Sequence, residues 1–471
     1  MSVARNWVER GHYGRLLSGQ LAPSGLEAAF PTTASVALSF RLFGVGIWQG
    51  RLVGVVFMVA SVVVLHDLAR RLYNRSVAVA SLAVLLLLSM LPDLHPLTLS
   101  RQVFAEMPMM FYLLAGHTSF LLTLRRSLWF MLLAVGLWGL ALITKGQVQP
   151  FLVVSLVVSL LTALLRRQWK MAALLGIALL GSFAVWKVLI WLQGLVLRDH
   201  RLPTTPIDGL LTWVALTPFS LRREGALLIA LLFGLPTLLG LGYATWQWLK
   251  ALRNKVPSDP RNIVRLALLA LAGSWFAWYA LLSAGFPRYL FPPVFVGSMF
   301  VAALLDDLTD HFSLSSLRRS RRFSSSPKGF ALRVARPLLL FVLIAVPLPV
   351  TCGMLYHHYI ANADTTPVEV ARFLNTQTSP DALIETYDSE LHFLLNRRYH
   401  YPPDQISGDI MHRRVIGGSE PIDYDPLAAD PDYLVVGEQI RKWRLYEPVL
   451  ATGAFRLLRR FGDYDVYERV R

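Results

Sequence analysis

Ten apolar windows, near residues 47–66, 77–92, 104–124, 127–144, 148–166, 171–192, 226–248, 263–284, 289–305 and 337–357, constrain this chain more than any motif does. A helix needs about 20 predominantly apolar residues to cross a bilayer, and several of these windows have about that length without an interior charge. The fold class expected is therefore mostly α: a polytopic helical membrane bundle of about ten spans. The composition agrees, with 54% hydrophobic residues and a mean hydropathy of +0.47.

The formal charge is +16, but it is unevenly spread. Residues 1–361 hold 33 Lys+Arg against 12 Asp+Glu, whereas residues 362–471 hold 13 against 18. In a membrane protein such an excess belongs to the loops on the cytoplasmic side, so it does not call for nucleic acid. Alternate loops carry Arg70, Arg71 and Arg75; Arg125 and Arg126; Arg166, Arg167 and Lys170; Lys250, Arg253, Lys255 and Arg261; and the basic run 318–336. The opposite loops carry only Arg101, Lys145, Arg198, Arg201, Arg222, Arg223 and Arg288. This bias puts the first set inside and the second set, with the C-terminal region, outside an inner or plasma membrane. The Ser-rich run 318–329 reads as a disordered or headgroup-binding stretch. Cys352 is the single cysteine, so no intrachain disulfide can form.

Residues 1–46 are then expected outside as a first loop lacking a preceding helix, with a short interfacial helix over Thr33 to Phe43. Residues 47–361 form the transmembrane helical domain. In residues 362–471 apolar content falls and short β-like runs appear at Leu383 to Thr386, Tyr433 to Val436 and Tyr464 to Tyr467, with a helix-like run at 366–376. That pattern predicts a small soluble extracytoplasmic α/β domain.

Seven carboxylates before residue 362 fall on the outer side: Glu9, Glu27, Asp93, Glu106, Asp199, Asp208 and Glu224. Glu106, in 98-TLSRQVFAEMPMMFYLL-114, sits at the mouth of an apolar segment, where an ionisable group is costly unless it is used. It is the candidate proton acceptor; the bland alternative is a helix N-terminal acid beside Pro108. Lys145, in 142-LITKGQ-147, and Arg288 with Tyr289, in 286-FPRYLFPP-293, could neutralise a phosphate or simply snorkel to the headgroups. Arg101 and Arg51 are read the same way. The pairs His66/Asp67 and His357/His358 supply too few ligands for a metal site by themselves.

The stretches 4-ARNWVERGHYGRLLSGQ-20, 40-FRLFGVGIWQGRLVG-54, 100-SRQVFAEMP-108, 138-WGLALITKG-146 and 286-FPRYLFPP-293, in this order and on one side, resemble the integral-membrane glycosyltransferases of the GT-C class. The likeness is to glycosyltransferase family 39, the protein mannosyltransferases and aminoarabinose transferases. It implies an inverting transfer of a hexosyl or pentosyl group from a polyprenyl-phosphate donor to a hydroxyl of a lipid, glycan or protein acceptor at the outer face. Glu106 matches the family's second acidic position, and Arg288 with Lys145 or Arg101 would meet the departing phosphate. The family's first-loop carboxylate has no counterpart here, since Glu9 falls in the wrong part of the loop. The segment 27-EAAFPTT-33 likewise lacks the basic residue common in relatives. A non-catalytic or truncated relative that binds the carrier lipid is therefore the alternative reading. A secondary transporter is a third, but it calls for inverted repeats and paired midplane charges that are not seen. Participation of a divalent metal stays open, as do the sugar and the acceptor.

Overall fold

The apolar windows become helices, four of which end at a charged residue: Arg126, Lys145, Arg166 and Arg198. The computed structural model describes residues 1–24, 29–204, 216–217, 221–254, 259–313, 337–361, 365–416 and 422–471. Glu27, Asp208, Lys255 and the basic run 318–336 lie outside these residues.

Among the described residues thirteen α-helices run in order to residue 308: α1 (Ser2–Arg10), α2 (Phe30–Phe43), α3 (Ile47–Leu72), α4 (Arg75–Leu87), α5 (Pro96–Arg101), α6 (Glu106–Arg125), α7 (Trp129–Thr144), α8 (Val148–Leu165), α9 (Trp169–Leu197), α10 (Leu221–Phe233), α11 (Leu235–Arg253), α12 (Pro260–Leu282) and α13 (Phe291–Leu308). A further apolar helical stretch occupies 337–361. Among the described residues seven helices are long and apolar enough to cross a membrane: α3, α6, α8, α9, α12, α13 and the run from Pro337. The α10–α11 pair makes an eighth if it is one broken span. The protein is thus a multi-pass membrane protein, while α4 and α7 are shorter apolar helices.

Two differences from the sequence pattern have local causes. The window 226–248 is bent by 73° between α10 and α11, because Pro236 follows Gly234 and removes a helical donor. The opening residues, expected as loop, form α1. Its Val3 and Ala4 are buried, and Ala4 packs with Val36, Phe40, Val103 and Phe393.

Close approaches fix the bundle around α6. A Cβ on Gly54 of α3 would lie 2.0 Å from the Ser100 carbonyl oxygen of α5. On Gly116 of α6 it would come within 2.6 Å of the Trp138 ring of α7. Only hydrogen fits at either place, so α5 and α7 are pressed against α3 and α6. Met107, Met110, Leu113, Trp138 and Trp275 are fully buried in the same core, where Phe151 and Trp275 stack at 4.4 Å.

The C-terminal region holds a five-stranded sheet. Its order is Arg398–His400, Leu383–Thr386, Tyr433–Val436, Tyr464–Arg469 and Phe455–Phe461. The first three strands are parallel and the last two antiparallel to their neighbours. Val435 and Ile384 lie in its core with Val370 and Leu374 of the helix Thr366–Gln377. The N-terminal residues dock on this sheet unit: Arg5 donates to the Phe393 carbonyl at 2.7 Å, Arg15 pairs with Asp404, and Phe40 stacks on Phe393 at 5.9 Å.

Candidate functional site

The site is built where three chain reversals meet at one end of the bundle: the segment 88–105 before α6, the turn between α7 and α8, and the turn between α12 and α13. Glu106 is the first residue of α6. The preceding turn is tight, because Val103 adopts a positive φ of 56° that β-branched residues rarely accept. Such backbone strain, of order 1–3 kcal/mol, persists only where surrounding packing enforces it. Here Val103 is clamped in the Ala4, Val36 and Phe40 cluster, and the turn delivers Phe104 and Glu106 to the rim.

Lys145 caps α7. Its ammonium donates to Glu106 Oε1 at 2.5 Å, with only 4% of the Glu106 side chain exposed and 15% of Lys145. The same Lys145 Nζ lies 5.3 Å from the Tyr289 ring centroid. Arg288 sits on an aromatic platform, its guanidinium carbon 5.0 Å from the Phe104 ring centre, 5.4 Å from Tyr289 and 5.9 Å from Phe286. Its Nε is buried without a hydrogen-bond partner among the described residues. Burial weakens the Arg288 charge, but the fields of Tyr289, Glu106 and Asp93 outweigh it and hold its pKa above the ordinary value. A desolvated guanidinium with a spare donor, a buried carboxylate and an ammonium bridging to it make a cradle suited to an anion.

Four of the five sequence-derived residues, Glu106, Lys145, Arg288 and Tyr289, are therefore in one cluster. Arg101 stands apart: it is exposed, lies 4.9 Å from the Tyr359 ring centre, and shares its field with Arg51. Asp93, which the sequence pattern did not set apart from the other outer acids, joins the cluster from a short 3₁₀ turn, Pro92–Leu94. Burial raises its pKa, Arg288 lowers it and Glu106 raises it again, the net being upward. Its signal was faint but legible, an outer-side acid in 92-PDLHP-96 between two prolines that hold it at a reversal. His358 also acts on Asp93, which ties the 337–361 stretch to this rim. No three of His, Cys, Asp and Glu converge on a metal position among the described residues.

Comparison with known proteins bears on the fold. Residues 32–191 match the dolichyl-phosphate-mannose-protein mannosyltransferase family. No curated protein sequence matches the chain. Among solved structures, ArnT from Cupriavidus metallidurans bound to undecaprenyl phosphate is similar over 100% of this chain and 92% of that one, with TM-score 0.64 and 15% identity. The oligosaccharyltransferase of Archaeoglobus fulgidus in the apo form is similar over 93% of this chain and 65% of that one, with TM-score 0.53 and 12% identity. At these identities the likeness concerns the fold alone, and the family match covers residues 32–191.

Proposed function

We propose that this protein is a membrane glycosyltransferase that moves a sugar from a polyprenyl-phosphate donor to an acceptor hydroxyl at the outer membrane face, with inversion. The observation that carries the reading is the buried Glu106–Lys145 pair with Arg288 on the same rim. The acceptor oxygen attacks the anomeric carbon as its proton passes to Glu106, and the bond to the phosphate oxygen breaks, leaving the carrier phosphate. Lys145 and Arg288 are suited to receive that phosphate's charge in a desolvated setting, where fixed cations stabilise a departing anion more than water does. Lys145 then has two tasks, since it holds the Glu106 carboxylate in the resting state and turns to the phosphate when the donor enters. The aromatic platform of Phe104, Phe286 and Tyr289 supplies the apolar wall against which the carrier's first isoprene unit would lie. Arg101 over Tyr359 is read as an outer contact to headgroup or acceptor. The similar ArnT structure is bound to undecaprenyl phosphate, which supports the donor class.

The test is sugar transfer from a short polyprenyl-phosphate donor by protein in vesicles. Glu106→Gln should lower turnover by about 10²–10⁴, the usual weight of a proton acceptor, while carrier-phosphate affinity is kept. Arg288→Ala should weaken that affinity. Undiminished turnover in Glu106→Gln would discard the role given to the carboxylate.

A further inference from the structure

The opposite end of the bundle carries a second cationic cleft. α8 starts at Val148, just after Lys145, and its 18 residues carry the chain roughly 27 Å away at 1.5 Å per residue. There the ends of α3 and α8 and the start of α12 enclose a cleft of about 130 Å³, lined among others by Tyr73, Thr162, Arg166, Gln247, Asn262 and Arg265. Among the described residues no carboxylate lines it. The field of Asp259 reaches Arg265, but that carboxylate caps α12 by accepting from the Arg261 N–H at 2.9 Å.

Arg265 is held rigidly. Its guanidinium carbon lies 4.2 Å from the Tyr73 ring centre. One Nη donates to the Leu72 carbonyl at the end of α3, and the other reaches Asn262 Oδ1 at 3.4 Å. The Nε is buried with no partner among the described residues. A buried, unspent donor on a fixed cation is costly to keep empty. Arg166, Asn262 and Gln247 place further polar groups on the same walls, and Trp248 gives the aromatic wall common at a membrane interface. The charge bias assigns this end to the cytoplasm, where Arg70, Arg71, Arg167 and Lys170 surround it in sequence.

We propose that this cleft binds one phosphate group, that of an anionic lipid headgroup in the cytoplasmic leaflet. Basic pockets between helices at that face meet lipid phosphates in this way. The bound phosphate lies against Arg265 and Arg166, both on the cleft wall, joining the ends of α3, α8 and α12 through one ligand. The site is separate from the Glu106 rim, so it neither needs nor tests the transfer reaction.

The experiment is native mass spectrometry of the full chain released from nanodiscs of phosphatidylcholine with or without phosphatidylglycerol. The wild type should retain one phosphatidylglycerol. Arg265→Gln should lower retention about fivefold or more, the effect of one cation near a membrane phosphate. Ala251→Trp, which fills the cleft and leaves every charge in place, should do the same and guards against misfolding of the first variant. Arg253→Gln, at the same end but not on the cleft wall, should leave retention unchanged. Inorganic phosphate that fails to displace the lipid supports the headgroup as the source. Displacement by it, still dependent on Arg265, assigns the phosphate site to the free ion and overturns the lipid source. Equal retention in wild type and Arg265→Gln, or an equal loss in Arg253→Gln, overturns the site.

Discussion

At the scale of single residues, the account turns on how a carboxylate stays buried at a membrane rim. Glu106 is 3% exposed, and the Lys145 ammonium offsets what its charge loses by leaving water. Removing one partner of such a pair leaves a bare buried charge, at a cost of about 3–5 kcal/mol, whereas removing both relieves it. Lys145→Met should therefore lower the unfolding temperature in detergent clearly, and Glu106→Gln/Lys145→Met should recover most of the loss; equal destabilisation by the single and double variants would show that the pair is not coupled. Sequence position alone singled out Glu106, Lys145, Arg288 and Tyr289, because few ionisable groups stand at outer helix ends. It could not show that Lys145 reaches Glu106, since 39 residues separate them and only the α6–α7 packing brings them together. Asp93 was marked only by its place between Pro92 and Pro96, its grouping with Arg288 and Glu106 arising from neighbours distant in sequence.

At the scale of elements, glycines set how closely the helices carrying the site approach. Gly54→Ala would drive a Cβ to 2.0 Å from the Ser100 carbonyl oxygen, which α5 can avoid only by moving off α3. The expected cost is about 1–3 kcal/mol, with reduced transfer because α5 leads into the Val103 turn and Glu106. A variant of wild-type thermal stability and activity would contradict that coupling.

The strand runs Leu383–Thr386 and Tyr433–Val436 were legible to the residue, because buried parallel strands read as short apolar runs. The α10–α11 bend was not, since hydropathy averages over Pro236. At the end of the first of these strands, Asp388 faces Gly437, where a Cβ would lie 2.5 Å from its Oδ2. Burial, with Glu390 adding, lifts Asp388 from 3.8 to about 7, against the Gly437 N–H. Between those values the folded protein holds a proton that the unfolded chain has lost, so this group's contribution to stability falls as pH rises from about 4 to about 7. His392, buried and lowered to about 4, runs the other way below its ordinary value. The difference between wild type and Asp388→Asn isolates the acid: the variant should gain on wild type as pH rises through that window, measured by unfolding temperature. A pH-independent difference would contradict the assignment.

At the scale of the whole molecule, two groups of charged side chains stand at two ends of one bundle. The rim of Glu106, Lys145 and Arg288 is backed by the sheet unit, to which the N-terminal residues are tied through Arg5, Arg15 and Phe40. The other end brings Arg166 and Arg265 onto one cleft. Hydropathy and charge bias divide the loops into two sets in the sequence, because each depends on the order of the loops and not on packing. The tie between the first residues and the C-terminal sheet could not be read so, because its partners lie nearly 400 residues apart, as Arg5 and Phe393 do.

The most direct measurement of the central claim is photocrosslinking of a polyprenyl phosphate that carries a diazirine beside its phosphate, followed by peptide mapping. The account predicts label on the segments 98–106 and 286–291, lost in Arg288→Ala. Label absent from both segments in the wild type would contradict it.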